Sequence, residues 1–213
     1  MNIKEQDLRD AICRWGESMF NRGLTAGSSG NLSARLEHGF LVTPTNSCLG
    51  FLEPERLTKL DPSGQPVSGD APTKEIPLHM AFYKARPNAG GVVHLHSTFA
   101  TALSCLDGIN ATDTIPSITP YVVMRVGKVP LIPYLRPGSA EIATHIERLA
   151  PEHPAVLLSN HGPVVSAPTF RDAVFAAEEL EETAKLCILT RGMAVRPLPA
   201  EAIAELNRTF RLR

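Results

Sequence analysis

The sequence predicts an α/β layered domain, and three observations lead there. Strand-like and helix-like segments alternate along the chain. Two short apolar runs with the character of buried strands, Gly91 to Leu95 and Ala155 to Ser159, each lead into histidine-bearing sequence. The longer segments around them repeat apolar residues at helical spacing.

The first element spans Asp7 to Arg22, where Leu8, Ile12, Trp15 and Met19 share one helical face and Gly23 stops the helix. Thr25 to Asn31 (TAGSSGN) is a loop of small residues. Leu32 to Thr43 reads as two short strands around a turn at Glu37 to Gly39. A second loop, Thr43 to Asn46 (TPTN), leads to a short helix over Phe51 to Lys59 and a polar turn region over Leu60 to Gly69. Asp70 to Thr73 enters a helix from about Glu75 to Lys84, with Pro77 in the first turn, where its missing N–H has no partner to lose. The valine-rich strand Gly91 to Leu95 is followed by a helix over Thr98 to Leu106. Asp107 to Pro137 is proline-rich, with strand-like pieces at Tyr121 to Val123 and Lys128 to Pro133, and precedes a helix at Ser139 to Leu149. The strand Ala155 to Ser159 ends in Asn160-His161-Gly162. A last long helix, Phe170 to Arg191, sets Val174, Ala177, Leu180, Ala184 and Ile188 on one face and carries Glu178, Glu179, Glu181 and Glu182. Residues 1–213 are read as one domain, with 192–213 a polar C-terminal extension bearing one short helix.

A chain of 213 residues that is 43% hydrophobic can bury a core without disulfide or metal staples. The balance of 21 Lys+Arg against 22 Asp+Glu argues against nucleic-acid binding, which needs a clustered basic excess, but leaves small anions open. No run approaches the roughly 18 apolar residues of a membrane helix. Met1 to Asp10 alternates charged and polar residues without an apolar signal core, so a cytoplasmic location is expected. Cys13, Cys48, Cys105 and Cys187 form no CxxC pair and are assigned no chemistry.

His94 and His96 stand two apart at a strand end, so both imidazoles project to one side and offer two nitrogens to one cation. A pair of hydrogen-bonded core histidines has the same pattern. His161 follows the other buried strand; if the two strands neighbour each other, all three rings converge at one edge of the sheet. Three neutral nitrogens with an open fourth position describe a catalytic zinc site, with Zn–N of about 2.0–2.1 Å. Imidazole discriminates poorly among zinc, manganese, cobalt and nickel, so Zn2+ is the expectation and Mn2+ or Co2+ fit the same shell. Asn160 and Gly162 either support the ligand or form a tight turn. His38, His79, His145 and His153 are given no role.

Taken together and in order, TAGSSGN, TPTN, PTKE, HLH and NHG resemble the class II aldolase/adducin family, from about Gly23 to Arg191. The longer stretches LTAGSSGNLS, TPTNSCLGFL, VSGDAPTKE, LHSTFATALSCL and AEELEETAKL are similar to its 3-oxo-tetronate 4-phosphate decarboxylase branch. The resemblance implies a three-layer fold, a mixed, mainly antiparallel sheet between helical layers, assembled as a homotetramer with active sites at subunit interfaces. It places metal ligands on His94, His96 and His161. Glu75 would ligate the metal when no substrate is present and act as acid/base in turnover. It places phosphate-binding loops on Ser28, Ser29, Gly30 and Asn31, on Thr45 and Asn46, and on Thr73 and Lys74. Small residues and a helix start suit that task, because backbone N–H groups can approach phosphate oxygens closely. Tyr121 matches a family tyrosine that reaches across the interface, and reads otherwise as a strand aromatic. The proline-bound strands around it would be exposed edges in a monomer.

The departures are informative too. The aldolase relatives use a tyrosine near the C-terminus, whereas Tyr83, Tyr121 and Tyr134 are the only tyrosines here. Thr73-Lys74 replaces a serine pair, and a lysine suits a substrate carrying both phosphate and carboxylate. The implied activity is metal-dependent decarboxylation of a 3-oxo-tetronate 4-phosphate to dihydroxyacetone phosphate and CO2. A sugar-phosphate aldolase or 4-epimerase is the alternative. A non-catalytic adducin-like interaction module would lack the ligand set.

Overall fold

The computed structural model describes residues 3–210. Its centre is one eight-stranded sheet of order β4-β3-β2-β1-β5-β8-β7-β6. The strands are β1 (Asn31–Arg35), β2 (Phe40–Val42), β3 (Thr58–Leu60), β4 (Pro66–Ser68), β5 (Gly91–His94), β6 (Leu131–Ile132), β7 (Ala155–Leu158) and β8 (Gly162–Ala167). Every neighbouring pair is antiparallel except β6 with β7. Helices α1 (Ile3–Asn21), α2 (Ile76–Ala85), α3 (Thr98–Ser104), α4 (Pro120–Arg125), α5 (Ala140–Leu149), α6 (Phe170–Leu189) and α7 (Ala200–Thr209) cover both faces.

The two faces carry separate apolar cores because side chains alternate along each strand. On one face Leu32, Ala34, Val93, Leu157 and Val165 pack with Ile12 and Met19 of α1, Leu103 of α3, Val122 of α4, and Val174 and Leu180 of α6. On the other, Val42, Val92, Val156, Leu158 and Val164 pack with Leu78 and Phe82 of α2 and Ile142 and Ile146 of α5. Helices therefore lie on both sides of a mainly antiparallel sheet, the three-layer arrangement expected.

Several local expectations are corrected. Phe51 to Lys59 is not an α-helix: two single 3-10 turns, Leu49–Phe51 and Pro54–Arg56, precede β3. Pro54 opens the second turn, while Thr58 and Leu60 both point into the core. Leu60 to Gly69 holds a hairpin whose turn is made by Asp61 Oδ1, which accepts from the N–H groups of Ser63 and Gln65. Its second strand, β4, is exposed and begins with proline, as an edge strand can. Tyr121 to Val123 is helical, because Pro120 occupies the first turn, where proline is pre-organised for a helix and loses no hydrogen bond. The edge-strand argument for assembly around Tyr121 therefore falls. Lys128 to Pro133 contributes only the two residues of β6. The sequence after His161 is a further buried strand, β8, which lies between β5 and β7. The two histidine-bearing strands are thus not neighbours. They run parallel to each other, each antiparallel to β8, and so still end at the same edge.

Among the described residues no helix is long and apolar enough to cross a membrane. Beyond α6 the chain returns to α4. Leu198 N–H donates to Ser117 O at 2.9 Å, and Ile203 and Leu206 of α7 pack on the first core.

Candidate metal centre

Three connections converge at the edge where β5 ends. β5 delivers His94 as its last residue, fully buried, and the chain leaves through Leu95, His96 and Ser97 into α3. The turn between β7 and β8 delivers His161. Asn160 adopts a left-handed conformation (φ 54°), one of the few non-glycine types that does so at modest cost. Helix α3 holds this turn: Thr101 Oγ1 donates to His161 O, and the His161 N–H donates to Ser104 Oγ. The third connection, Pro72 to Glu75, places Glu75 immediately before α2.

The three imidazole Nε2 atoms form a tight triangle, with 3.1 Å between His94 and His96, 3.3 Å between His94 and His161, and 2.9 Å between His96 and His161. Glu75 Oε2 lies 3.3 Å from His94 Nε2, and Oε1 lies 3.8 Å from His161 Nε2. Ligand atoms of all four residues fall within 4.8 Å of one another. Two nitrogens bound tetrahedrally at the zinc distance would stand about 3.3 Å apart, close to the spacing observed. Two further features fit a cation. Glu75 Oε1 is buried without a hydrogen-bond partner, which is costly for a carboxylate oxygen unless something positive meets it. His94 Nδ1 is 2.9 Å from Pro163 O, so Nδ1 carries the proton and donates, leaving Nε2 bare towards the cluster.

The electrostatics agree with that use. Burial lowers the pKa of His94 and His96, and burial with His94 nearby pushes His161 down to about 4, so the rings stay neutral and able to ligate. Burial alone would raise the Glu75 carboxyl. The neighbouring His94, a hydrogen bond from Asn31, and His161 and His79 together hold it below the usual carboxylate range.

The expected phosphate loops surround this cluster in different ways. Asn31 begins β1 in register with His94, and its Nδ2 donates to Glu75 Oε2 at 2.8 Å, so it belongs to the cluster's inner surroundings. Gly30 has φ +79°, and a Cβ there would lie 2.9 Å from His94 O, so glycine is required by the backbone whatever else the loop binds. Ser29 caps its own loop, with Oγ donating to Ala26 O, while Ser28 is exposed. The TPTN and PTKE loops run side by side: Thr45 N–H donates to Ala71 O and Thr73 N–H to Thr43 O. Asn46 has φ 55°. Thr73 Oγ1 accepts from the Glu75 N–H, and Lys74 is exposed. A cleft of about 450 Å³ lined by Thr45, Asn46, Arg56 and Asp70 adjoins these loops, but none of the four clustered side chains lines it. Tyr121 is 54% exposed on α4, near Arg125, and is not part of the cluster.

Two further side chains, to which the sequence assigns no role, support the cluster. Glu181 of α6 accepts from the N–H groups of Phe99 and Ala100 at 2.8 Å each, satisfying the start of α3 just after His96. His79, given no role, lies fully buried behind Asn31. Its spacing of four from Glu75 and from Tyr83 was the available signal.

Comparison with known proteins finds relatives of this chain in sequence and in fold. Residues 10–188 match the family described as Class II Aldolase and Adducin N-terminal domain. The 3-oxo-tetronate 4-phosphate decarboxylase of Pectobacterium atrosepticum is 50% identical over 204 residues, 95% of this chain and 94% of that one. The L-fuculose phosphate aldolase of Escherichia coli is 32% identical over 197 residues, 91% of this chain and 89% of that one. The crystal structure of YgbL from Escherichia coli superposes with a TM-score of 0.93 at 49% identity, covering 95% of this chain and 98% of that one. With its sheet order, its three converging connections and its motifs in place, the chain belongs to the class II aldolase and adducin family.

Proposed function

We propose that this protein is a divalent-metal-dependent carboxy-lyase that converts a 3-oxo-tetronate 4-phosphate to dihydroxyacetone phosphate and CO2. The carrying observation is 50% identity over 95% of the chain to a decarboxylase of that substrate, in a chain whose His94, His96, His161 and Glu75 come together as one cluster. That cluster also separates it from a non-catalytic module, which has no use for three neutral imidazoles, two of them buried, facing a carboxylate.

The substrate is a β-keto acid: cleavage of its C1–C2 bond releases CO2 and leaves an electron pair shared by C2 and the C3 oxygen. His94, His96 and His161 would hold a divalent cation, taken here as Zn2+, whose Lewis acidity would stabilise this negative charge. The reaction consumes one proton, which Glu75 takes up and gives to C2. Ser28, Ser29, Gly30, Asn31, Thr45, Asn46 and Thr73 present hydroxyl, amide and backbone donors for the phosphate, and Lys74 meets the second anionic group. Tyr121 is assigned to the site of a neighbouring copy in a homotetramer, in keeping with its exposure on α4. The whole chain is taken as one cytoplasmic domain with 192–213 as an appended segment. The aldolase alternative is disfavoured by the lack of any tyrosine after Tyr134.

The deciding experiment supplies the purified protein with 3-oxo-tetronate 4-phosphates and measures CO2 and dihydroxyacetone phosphate. Stoichiometric release of both is expected. Aldehyde release from fuculose or ribulose phosphate without CO2 release would decide for the alternative.

A further inference from the structure

A line of buried polar side chains leads from Glu75 into the layer between the sheet and α2. Asn31 Nδ2 donates to Glu75 Oε2 at 2.8 Å, and Asn31 Oδ1 is 2.5 Å from His79 Nε2. His79 Nδ1 is 2.7 Å from Ser33 Oγ, which is 2.8 Å from the Tyr83 hydroxyl. Two periodicities bring these groups together. Glu75, His79 and Tyr83 recur every four residues on one face of α2 and its leading residue, while Asn31 and Ser33, two apart on β1, face them from the sheet. His79 and Ser33 are completely buried.

The first bond dictates the direction of the others. A carboxylate only accepts, so Asn31 turns its NH2 to Glu75 and presents its carbonyl oxygen to His79. His79 Nε2 must therefore donate, which makes Nδ1 the bare nitrogen that accepts the Ser33 hydroxyl proton. Ser33 Oγ in turn accepts from Tyr83. Both ring nitrogens are engaged while the imidazole is neutral, and burial, with His94 adding to it, pushes its pKa down to about 3. Rotating the Asn31 amide by half a turn would set oxygen against the Glu75 carboxylate and NH2 against the His79 N–H. Both contacts would be repulsive.

We propose that His79 is a positioning residue of the active site: by donating from Nε2 to Asn31 Oδ1 it holds the Asn31 NH2 on Glu75 Oε2. The carboxylate is thereby kept in the orientation that leaves Oε1 unbonded on the histidine side. In its catalytic consequence this rests on the acid/base role assigned to Glu75.

The test uses the metal-loaded protein. In the nitrogen spectrum of histidine-labelled protein, His79 is expected with Nε2 protonated and Nδ1 bare; the opposite tautomer overturns the proposal. His79→Gln keeps a donor near the Nε2 position and His79→Leu does not. The leucine variant is expected to lose about tenfold in kcat with KM little changed, and about tenfold in metal affinity against a chelator, with the glutamine variant restoring most of both. Wild-type kcat and metal retention in His79→Leu, or equal losses in the two variants, would show a packing role only. If the leucine variant does not fold, His79→Asn, whose amide reaches only the Nδ1 position, replaces it. Wild-type protein that releases no CO2 refutes the assigned reaction, and the tautomer and metal-retention results then decide the role of His79 separately.

Discussion

The close approach of the two ligand-bearing segments makes Gly162→Ala a sharp perturbation. A Cβ at residue 162 would lie 2.2 Å from Leu95 O, 3.3 Å from Leu95 C and 3.4 Å from His96 Cα. Cβ atoms essentially never come closer than 3.0 Å to another heavy atom, so one segment must give by at least about 0.8 Å. Neither can move alone: Leu95 N–H donates to Pro163 O, Leu95 lies between the proposed ligands His94 and His96, and Gly162 follows the proposed ligand His161. A metal site tolerates errors of about 0.2 Å in ligand distance, so the forced shift is several times too large. Overpacking of this kind costs about 1–3 kcal/mol, which for a chain of this size lowers Tm by roughly 2–12 °C. The variant is expected to fold, melt earlier and bind metal about tenfold more weakly, as read by elemental analysis after dialysis against graded chelator. Wild-type metal retention together with wild-type kcat would refute the claim that this contact sets the ligand geometry.

Four further outcomes are expected. His94→Ala removes one corner of the imidazole triangle and should abolish bound metal and activity together; activity surviving in metal-free protein would contradict the proposed metal centre. Glu75→Gln keeps the shape and the Asn31 contact but cannot carry the proton, so a normal melting curve with kcat lowered at least a hundredfold is expected, and near-normal kcat would sink the acid/base role. Lys74→Ala should raise KM about tenfold with kcat little affected; an unchanged KM removes Lys74 from substrate binding. His79 is neutral in the fold down to about pH 3, whereas its unfolded counterpart protonates near 6.5, so the unfolded state binds more protons between those values. Stability should therefore fall with pH across that window by up to about 1.4 kcal/mol per unit, and denaturant titrations of wild type and His79→Gln should show a shallower loss in the variant.

The three clustered histidines are legible because their signal is local. His94 and His96 are separated by the period of a strand, and His161 closes the second strand with the same apolar character. Glu75 carried no such mark and was named through resemblance. Its role in the cluster depends on the Thr43–Asn46 and Ala71–Thr73 loops running side by side, a contact made between distant parts of the chain. The strand β8 was missed because Gly162-Pro163 reads as a loop, yet Val164 and Val165 face opposite cores and the strand is buried along its whole length. Tyr121 to Val123 was misread for the converse reason: two valines and a tyrosine favour strands, but Pro120 at the first turn and the packing of Val122 and Val123 settle the helix. In sequence Glu181 is indistinguishable from its neighbours Glu178 and Glu182, and only the approach of α3 to α6 sets it apart.

By itself, the amino-acid sequence determined the α/β alternation, the helices at α1, α2, α5 and α6, and the three histidines with the chemistry they share. The alternation, the helices and the His94–His96 pair are each written in residues a few positions apart, where periodicity, caps and donor type act directly, and His161 is marked by the apolar strand just before it. Tertiary structure alone decided that β8 separates the two histidine strands, that Glu75 keeps an unpartnered buried oxygen, and that Asn31, His79, Ser33 and Tyr83 form one hydrogen-bonded line behind it. Those are relations between β1, β5, β8 and the start of α2, set by the burial of two apolar cores on opposite faces of one sheet.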